Sequence, residues 1–319
     1  MGAALKTVEN PYETDDARWA ACLERDKSAD GAFWSCVATT GVYCRPSCAG
    51  RPLRRNVTFA ASRAEAERAG YRPCKRCKPD RFVAGPLSHR LAEIDWARIS
   101  AALDAEGWAR LDALLTDGEC ARLIGAYEDD ALYSSRVVMA RHGFGAGEYR
   151  YFADPAPPLV AELRKGLYPR LAPIASEWAA KLGDRRSYPA SHDAYRRECA
   201  VQGQRRPTPL ILKYGPGDYN RLHQDLYGEE VFPLQVAILL SEPGKDFEGG
   251  EFVLTEQRPR MQSRAAVVPL RRGDAVVFAV NDRPVQGARG AFRAKMRHGV
   301  STVRAGARFT LGIIFHDAA

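Results

Sequence analysis

The sequence predicts an α+β chain of two unequal parts: a small cysteine-bearing α/β domain, then a larger β-rich domain buttressed by helices. Three observations predict it. Four of the eight cysteines form two tight pairs between residues 44 and 77. Helical periodicity dominates residues 91–182, and from Pro209 onward the chain breaks into short apolar runs of β character.

With 319 residues, 45% hydrophobic and 27% charged, the chain has ordinary globular composition and room for two domains. Its start, MGAALKTVENPYETDD, has no apolar core, and no eighteen-residue apolar stretch occurs, so a cytoplasmic protein with no membrane partner is expected. In that setting paired cysteines favour metal over disulfides. Residues 1–82 carry 15 Lys/Arg against 10 Asp/Glu and residues 256–308 carry 12 against 3, so the remainder is net acidic. Two separate basic stretches point to a polyanion such as nucleic acid; solvated charge without a partner is the plainer alternative.

Residues 13–35 read as a helix with an acidic start, broken at Asp30-Gly31. Ser62 to Gly70 is a second helix, opened by a serine cap with Glu65 three residues on. These define a domain over 1–82, a linker over 83–88 and a second domain over 89–319. In the latter, Leu91–Ala105, Asp117–Asp129 and Leu159–Leu182 are predicted helices around a strand-like Gly107–Leu115. The later runs LILKYG, LQVAILL, GEFVLTE, AAVVPL, AVVFAV and RFTLGIIF, separated by Gly, Pro and charged turns, read as a sandwich or jelly roll.

Cys44 and Cys48 form C-x3-C; Cys74 and Cys77 form C-x2-C after a 25-residue gap. Four thiolates at such spacing converge tetrahedrally on zinc, which also staples a domain of this size. On spacing alone the zinc is structural. Zinc also keeps its sulfurs deprotonated, and four thiolates carry surplus negative charge that alkylation of one of them relieves.

The segments ADGAFWSCVATTGVYCRPSCAGRPLRRNVTF and AGYRPCKRCKPD resemble the N-terminal domain of the Ada DNA-repair family over residues 15–82. The resemblance implies transfer of a methyl group from a DNA methylphosphotriester to the first of the four cysteines, here Cys44. It makes Arg45, Arg51, Arg54, Arg55, Lys75 and Arg76 candidates for phosphate contact. No Pro-Cys-His-Arg acceptor motif occurs elsewhere.

His223-Gln-Asp225 stands in a strand-like context where residues i and i+2 share a face. Such a pair is weak evidence alone. Downstream, His298 precedes Arg308 by ten residues, and Thr310 follows on the same strand face. Two imidazoles and a carboxylate make the facial triad of non-haem iron, and an arginine on the next strand can pair with a 2-oxoglutarate carboxylate. His89, His142, His192 and His316 are expected at the surface or in hydrogen bonds, with His316-Asp317 the rival pair.

With Gly249-Gly250-Glu251-Phe252 and Tyr214-Gly-Pro-Gly, residues 207–317 resemble the prolyl-hydroxylase-like branch of 2-oxoglutarate/Fe(II) oxygenases, closest to a prokaryotic group proposed to act on damaged DNA. The resemblance implies a double-stranded β-helix fold and iron on His223, Asp225 and His298. It implies 2-oxoglutarate on Arg308, Tyr214 and Thr310, and dioxygen as oxidant. The cosubstrate leaves as succinate and carbon dioxide, a substrate C–H bond is hydroxylated, and a hydroxylated N-methyl group falls away as formaldehyde.

Met139–Asp154 is a candidate for stacking a base and Asn281–Arg297, with Arg283, Arg289, Arg293, Lys295 and Arg297, for tracking phosphates. The expected function is repair of alkylated DNA. Two alternatives stand beside it: a DNA-targeted protein hydroxylase, and a methyl-sensing regulator.

Overall fold

A computed structural model describes residues 11–27, 29–82, 86–288 and 290–319. The chain divides into two compact units between Pro86 and Leu87. Of the predicted linker 83–88, residues 83–85 lie outside the described residues, and from Leu87 the chain is already helical.

In the first unit, helix α1 (Asp15–Glu24) starts on the Thr14 side chain, which accepts from the Ala17 amide. It is shorter than predicted: Arg25 enters the left-handed region at φ 55° and its amide turns back to Ala21 and Cys22. Strands β1 (Trp34–Val37), β2 (Val42–Cys44), β3 (Val57–Ala60) and β4 (Arg72–Pro73) form one sheet in the order β3-β1-β2-β4. Helix α2 (Arg63–Arg68) lies between β3 and β4. Ser62 caps it as predicted by accepting from the Glu65 amide; the Glu65 carboxylate reaches back to Ala61, one residue beyond the cap. The buried apolar residues of this unit form two clusters, Trp34, Cys36, Tyr43, Ala60 and Ala66 in one and Ala21, Ala29 and Phe33 in the other, and the rim of β2 and the turn after β4 carry the paired cysteines.

The second unit opens with α3 (Leu87–Glu93) and α4 (Trp96–Glu106). The single helix predicted over Leu91–Ala105 is thus two, because Asp95 breaks the first and caps the second by accepting from the Arg98 amide. Strand β5 (Trp108–Leu111), α5 (Asp117–Gly125), β6 (Tyr133–Val138), β7 (Gly145–Ala146) and β8 (Glu148–Phe152) follow. Helices α6 (Pro158–Lys181) and α7 (His192–Val201) complete the helical layer. The Thr116–Glu119 capping box starts α5. Among the described residues no helix is long and apolar enough to cross a membrane.

The rest is β: β9 (Leu210–Tyr214), β10 (Tyr219–His223), β11 (Leu234–Leu239), β12 (Phe247–Gly249), β13 (Phe252–Gln257) and β14 (Arg264–Val268). After them come β15 (Ala275–Ala279), β16 (Asp282–Gly287), β17 (Gly290–Val300), β18 (Val303–Gly306) and β19 (Arg308–Ile313). One sheet runs β5-β15-β11-β19-β9-β8-β6 and the other β14-β13-β17-β10-β7, with β16 added to β17. The two sheets form the jelly roll, or double-stranded β-helix, that the sequence predicts. Strands β11, β15 and β19 are buried on both faces, one against the helical layer and one against the cavity. Their sequences are therefore continuous apolar runs, and polar residues inside them stand out.

Candidate metal centres

In the first unit the sulfurs of Cys44, Cys48, Cys74 and Cys77 lie within 4.8 Å of one another, and all four cysteines are free. The Arg45 amide points at the Cys77 sulfur and the Gly50 amide at the Cys48 sulfur, both at 3.5 Å. The Cys44 thiol is pushed up by its hydrogen bonds to Cys48 and Cys77 and by burial. Four such sulfurs cannot all ionise side by side without a cation, and backbone amides aimed at sulfur favour thiolate, so the donor set fits zinc.

Asp30 organises the turn between Cys44 and Cys48. Its carboxylate accepts from the Ser47 amide (2.9 Å), the Ser47 hydroxyl (2.6 Å) and Arg45 (3.1 Å). Sequence reasoning saw Asp30 only as a helix break. Its buried carboxylate holds the cysteine loop.

Cys44, Cys48 and Cys74 border a hollow of about 850 Å³ that is also lined by Arg45, Arg51, Lys75 and Arg76. Arg54 and Arg55 are not on it. Arg54 instead lies over the Trp19 and Phe59 rings and donates to the Val57 carbonyl, which makes it a packing residue. Arg45 is half-committed to Asp30 and to the Phe82 ring, 4.8 Å away. Arg72 lines the hollow and was not singled out from the sequence.

In the second unit His223 ends β10 and pairs across the sheet with His298 of β17, their ring centroids 4.2 Å apart. Asp225, just past the strand, faces His223 Nε2 at 3.5 Å and His298 Nε2 at 3.4 Å. The three ligand atoms lie within 4.8 Å. His223 Nδ1 is 2.7 Å from the Arg221 carbonyl, to which it donates when Nε2 is the lone-pair nitrogen. Burial alone would raise Asp225, but its bonds to the two histidines hold the carboxyl well below the ordinary range. Burial and then the neighbouring His223 push His298 down. One imidazole kept neutral beside an ionised carboxylate is a donor set for a divalent ion.

A cavity of about 370 Å³ between the sheets holds this cluster together with Arg308, Thr310 and Tyr214. Arg308 is 1% exposed, and burial lowers its guanidinium to about 10. It donates to Thr310 Oγ1 at 2.6 Å and lies 5.5 Å from the centre of the Tyr214 ring. Its Nε and the Tyr214 hydroxyl have no partner, and among the described residues no carboxylate pairs with it. An unneutralised arginine this deep fits a ligand carboxylate, which is what 2-oxoglutarate brings.

The Gly249-Gly250 motif has its reason here. Gly250 sits at φ 60°, and a Cβ there would stand 2.8 Å from Arg308 Cδ. Two residues on, Phe252 stacks on His298 at 25° between planes.

The rival pair His316-Asp317 is engaged within the fold. His316 accepts from the Phe232 amide, and Asp317 is held by Arg164 and Arg196. The Asn281–Arg297 stretch is a β16–β17 hairpin. Within it Arg283 is buried and paired with Glu256, which removes it from any phosphate track. Arg293 and Lys295 are exposed but share Asp282, and Arg289 lies outside the described residues. Of Met139–Asp154, Gly143, Phe144 and Tyr149 line the cavity, while β8 is an interior strand of the larger sheet.

Residues 147–318, more than half of the chain, match the family model described as "Oxygenase, catalysing oxidative methylation of damaged DNA". The chain belongs to this oxygenase family.

Residues 17–80 match a second model, the metal binding domain of Ada. Among relatives, the Mycobacterium tuberculosis protein Rv2227 is 52% identical over 168 residues, 53% of this chain and 72% of that protein. The Escherichia coli transcriptional activator and DNA repair enzyme Ada is 53% identical over 85 residues, 26% of this chain and 23% of Ada. Of solved structures, a methylated N-Ada/DNA complex is 49% identical over 29% of this chain and 68% of that one, TM-score 0.22. A Pseudomonas putida prolyl-4-hydroxylase is 14% identical over 70% of this chain and 100% of that one, TM-score 0.44. The chain is thus a member of the oxygenase family with an Ada-type zinc-binding set of four cysteines and a second, His/Asp/His, set able to hold a metal ion.

Two residues of this oxygenase site escaped sequence reasoning. Tyr227 donates to Asp225 at 2.7 Å, and Gln235 lines the cavity from β11. Both had a signal: Tyr227 repeats the two-residue spacing of His223 and Asp225, and Gln235 is the one polar residue in LQVAILL.

Proposed function

We propose that the chain repairs alkylated DNA, oxidising an N-alkyl group on a base at the His223/Asp225/His298 centre and taking a methyl from backbone phosphotriesters on Cys44. The observation that carries the oxygenase reading is the buried, carboxylate-free Arg308 sharing one cavity with two histidines and an aspartate. The repair reading is supported by the family and by the 53% identity to the repair enzyme Ada across the metal domain.

When bound, iron and 2-oxoglutarate supply the activation of dioxygen and the delivery of one oxygen atom to a C–H bond. The chain's residues do the rest. His223, Asp225 and His298 would hold the ion, and Arg308, Thr310 and Tyr214 would hold a carboxylate of the cosubstrate in a dry site where ion pairing is strong. The exposed edge of His223 (34%) marks the side open to substrate, flanked by the half-exposed Phe144 and Leu222. On the metal domain, Arg51, Lys75, Arg76 and Arg72 bracket Cys44 with positive charge suited to a phosphate backbone.

The test is succinate release by the full chain with methylated oligonucleotide, unmodified oligonucleotide or peptide. Stimulation by the methylated strand supports the proposal; stimulation by peptide alone moves the chain to the protein hydroxylases.

A further inference from the structure

We infer that Gln235 reads the substrate, and that the oxygenase cavity takes an N-alkylated base carrying an amino group beside the alkylated ring nitrogen. The inference rests on the reading of the site as a base oxygenase and deepens it.

Gln235 is 4% exposed and lines the cavity, and its Oε1 has no hydrogen-bond partner. A carboxamide oxygen stranded in the middle of a sheet is costly unless something supplies a donor. Its place is set by register. Leu239 lies opposite Thr310, Ala237 opposite Gly312 and Val236 opposite Ile313, so Gln235 sits at the end of β19 farthest from Arg308. That is about 20 Å of strand away. On its other side it pairs with Phe278, which packs on His298 at 4.7 Å. Gln235 therefore lies on the metal-ligand side of the cavity and Arg308 at the opposite end.

The cosubstrate cannot satisfy it. At neutral pH 2-oxoglutarate carries only acceptor oxygens, as do succinate, carbon dioxide and dioxygen, whereas Oε1 needs an N–H or O–H. The hydroxyls on the cavity wall, those of Tyr149, Tyr214, Tyr227 and Thr310, do not bond to it. The donor must come with the substrate. An alkylated ring nitrogen flanked by an exocyclic amine supplies one, and the same ring with an oxo group instead opposes acceptor to acceptor.

The experiment uses full-length protein and two oligonucleotides, one with 3-methylcytosine and one with 3-methylthymine. These lesions share the methylated ring nitrogen and differ in the neighbouring amino or oxo group; thymine also carries a 5-methyl group, a difference that Gln235→Leu leaves in place. Formaldehyde release is expected to be faster on 3-methylcytosine by at least about tenfold. Gln235→Leu should bring the ratio to within about twofold with 2-oxoglutarate affinity unchanged, while Gln235→Glu, which keeps the acceptor, retains the preference. Equal wild-type rates, a preference that survives in Gln235→Leu, or a loss of 2-oxoglutarate affinity in that variant overturns the inference. The wild-type ratio decides the matter should Gln235→Leu not fold. Oxidation of 3-methylthymine alone overturns the inference and leaves the DNA reading standing; turnover of neither lesion removes both.

Discussion

Tyr227 donates its hydroxyl hydrogen to Oδ1 of Asp225 at 2.7 Å, while Oδ2 of the same carboxylate faces His298. The carboxylate is thereby aimed before any ion arrives. Partners of this kind are commonly worth about 10- to 100-fold in metal affinity. Tyr227→Phe is expected to weaken cobalt(II) or iron(II) binding by that factor, read by spectroscopic titration, with the fold intact. Unchanged affinity would show that Tyr227 only fills space.

Arg308→Ala is expected to weaken 2-oxoglutarate binding by about 1.5–3 kcal/mol, the value of a charge-assisted contact to a carboxylate. Arg308→Lys should restore only part of it, since a point charge cannot form two parallel bonds. Isothermal titration with the metal present measures both. Arg304, the nearest alternative in sequence, is exposed; loss of affinity in Arg304→Ala with none in Arg308→Ala would relocate the anchor.

The part of the site visible in the sequence is the part whose chemistry demands a residue type. Cysteine pairs, His223, Asp225, His298 and Arg308 are the residue types that the proposed ligands would demand, so type and spacing exposed them. Gln235 and Arg283 show the limit. Gln235 acquires meaning only when β11 pairs with β15 and β19, and Arg283 looked like a phosphate contact because its charge is visible in the sequence and its partner Glu256, on β13, is not. The fold was read in the same way. Continuous apolar strands announced the β-helix, while single residues such as Arg25 and Asp95 shortened or split helices through local backbone geometry that periodicity does not register.

That buried pair carries a stability prediction. Arg283 also donates to the Asp104 and Ala105 carbonyls at the end of α4. Arg283→Ala leaves Glu256 with Arg258 as its one arginine partner and strands those carbonyls, so a loss of about 3 kcal/mol is expected by urea unfolding. Replacing both Arg283 and Glu256 with apolar residues should cost less than the single change.

The oxygenase unit should lose stability in mild acid. Burial, followed by the nearby Arg164 charge, lowers both His192 and His316 from 6.5 to about 4. Below 6.5 the unfolded chain binds protons that the folded one refuses, so stability is full above pH 6.5 and falls as pH drops toward 4. Urea midpoints measured from pH 7 to 4.5 should decline, and the decline should flatten in His192→Gln/His316→Gln. A midpoint that rises on acidification contradicts the assignment.

Zinc chelation should unfold the first unit and leave the second folded, since the two cysteine pairs close that small domain. Incubation with methylphosphotriester DNA should add one methyl to Cys44 by intact mass. A Cys44→Ser protein methylated as fully as wild type would make the zinc purely structural.

In the proposed function one cavity couples 2-oxoglutarate to a DNA base. The most direct measurement follows succinate and formaldehyde together on N-methylated oligonucleotides. One formaldehyde is expected for each DNA-stimulated succinate, and neither product in His223→Ala or Asp225→Ala although zinc stays bound. Succinate that rises with peptide and not with methylated DNA, or formaldehyde that persists in Asp225→Ala, would contradict it.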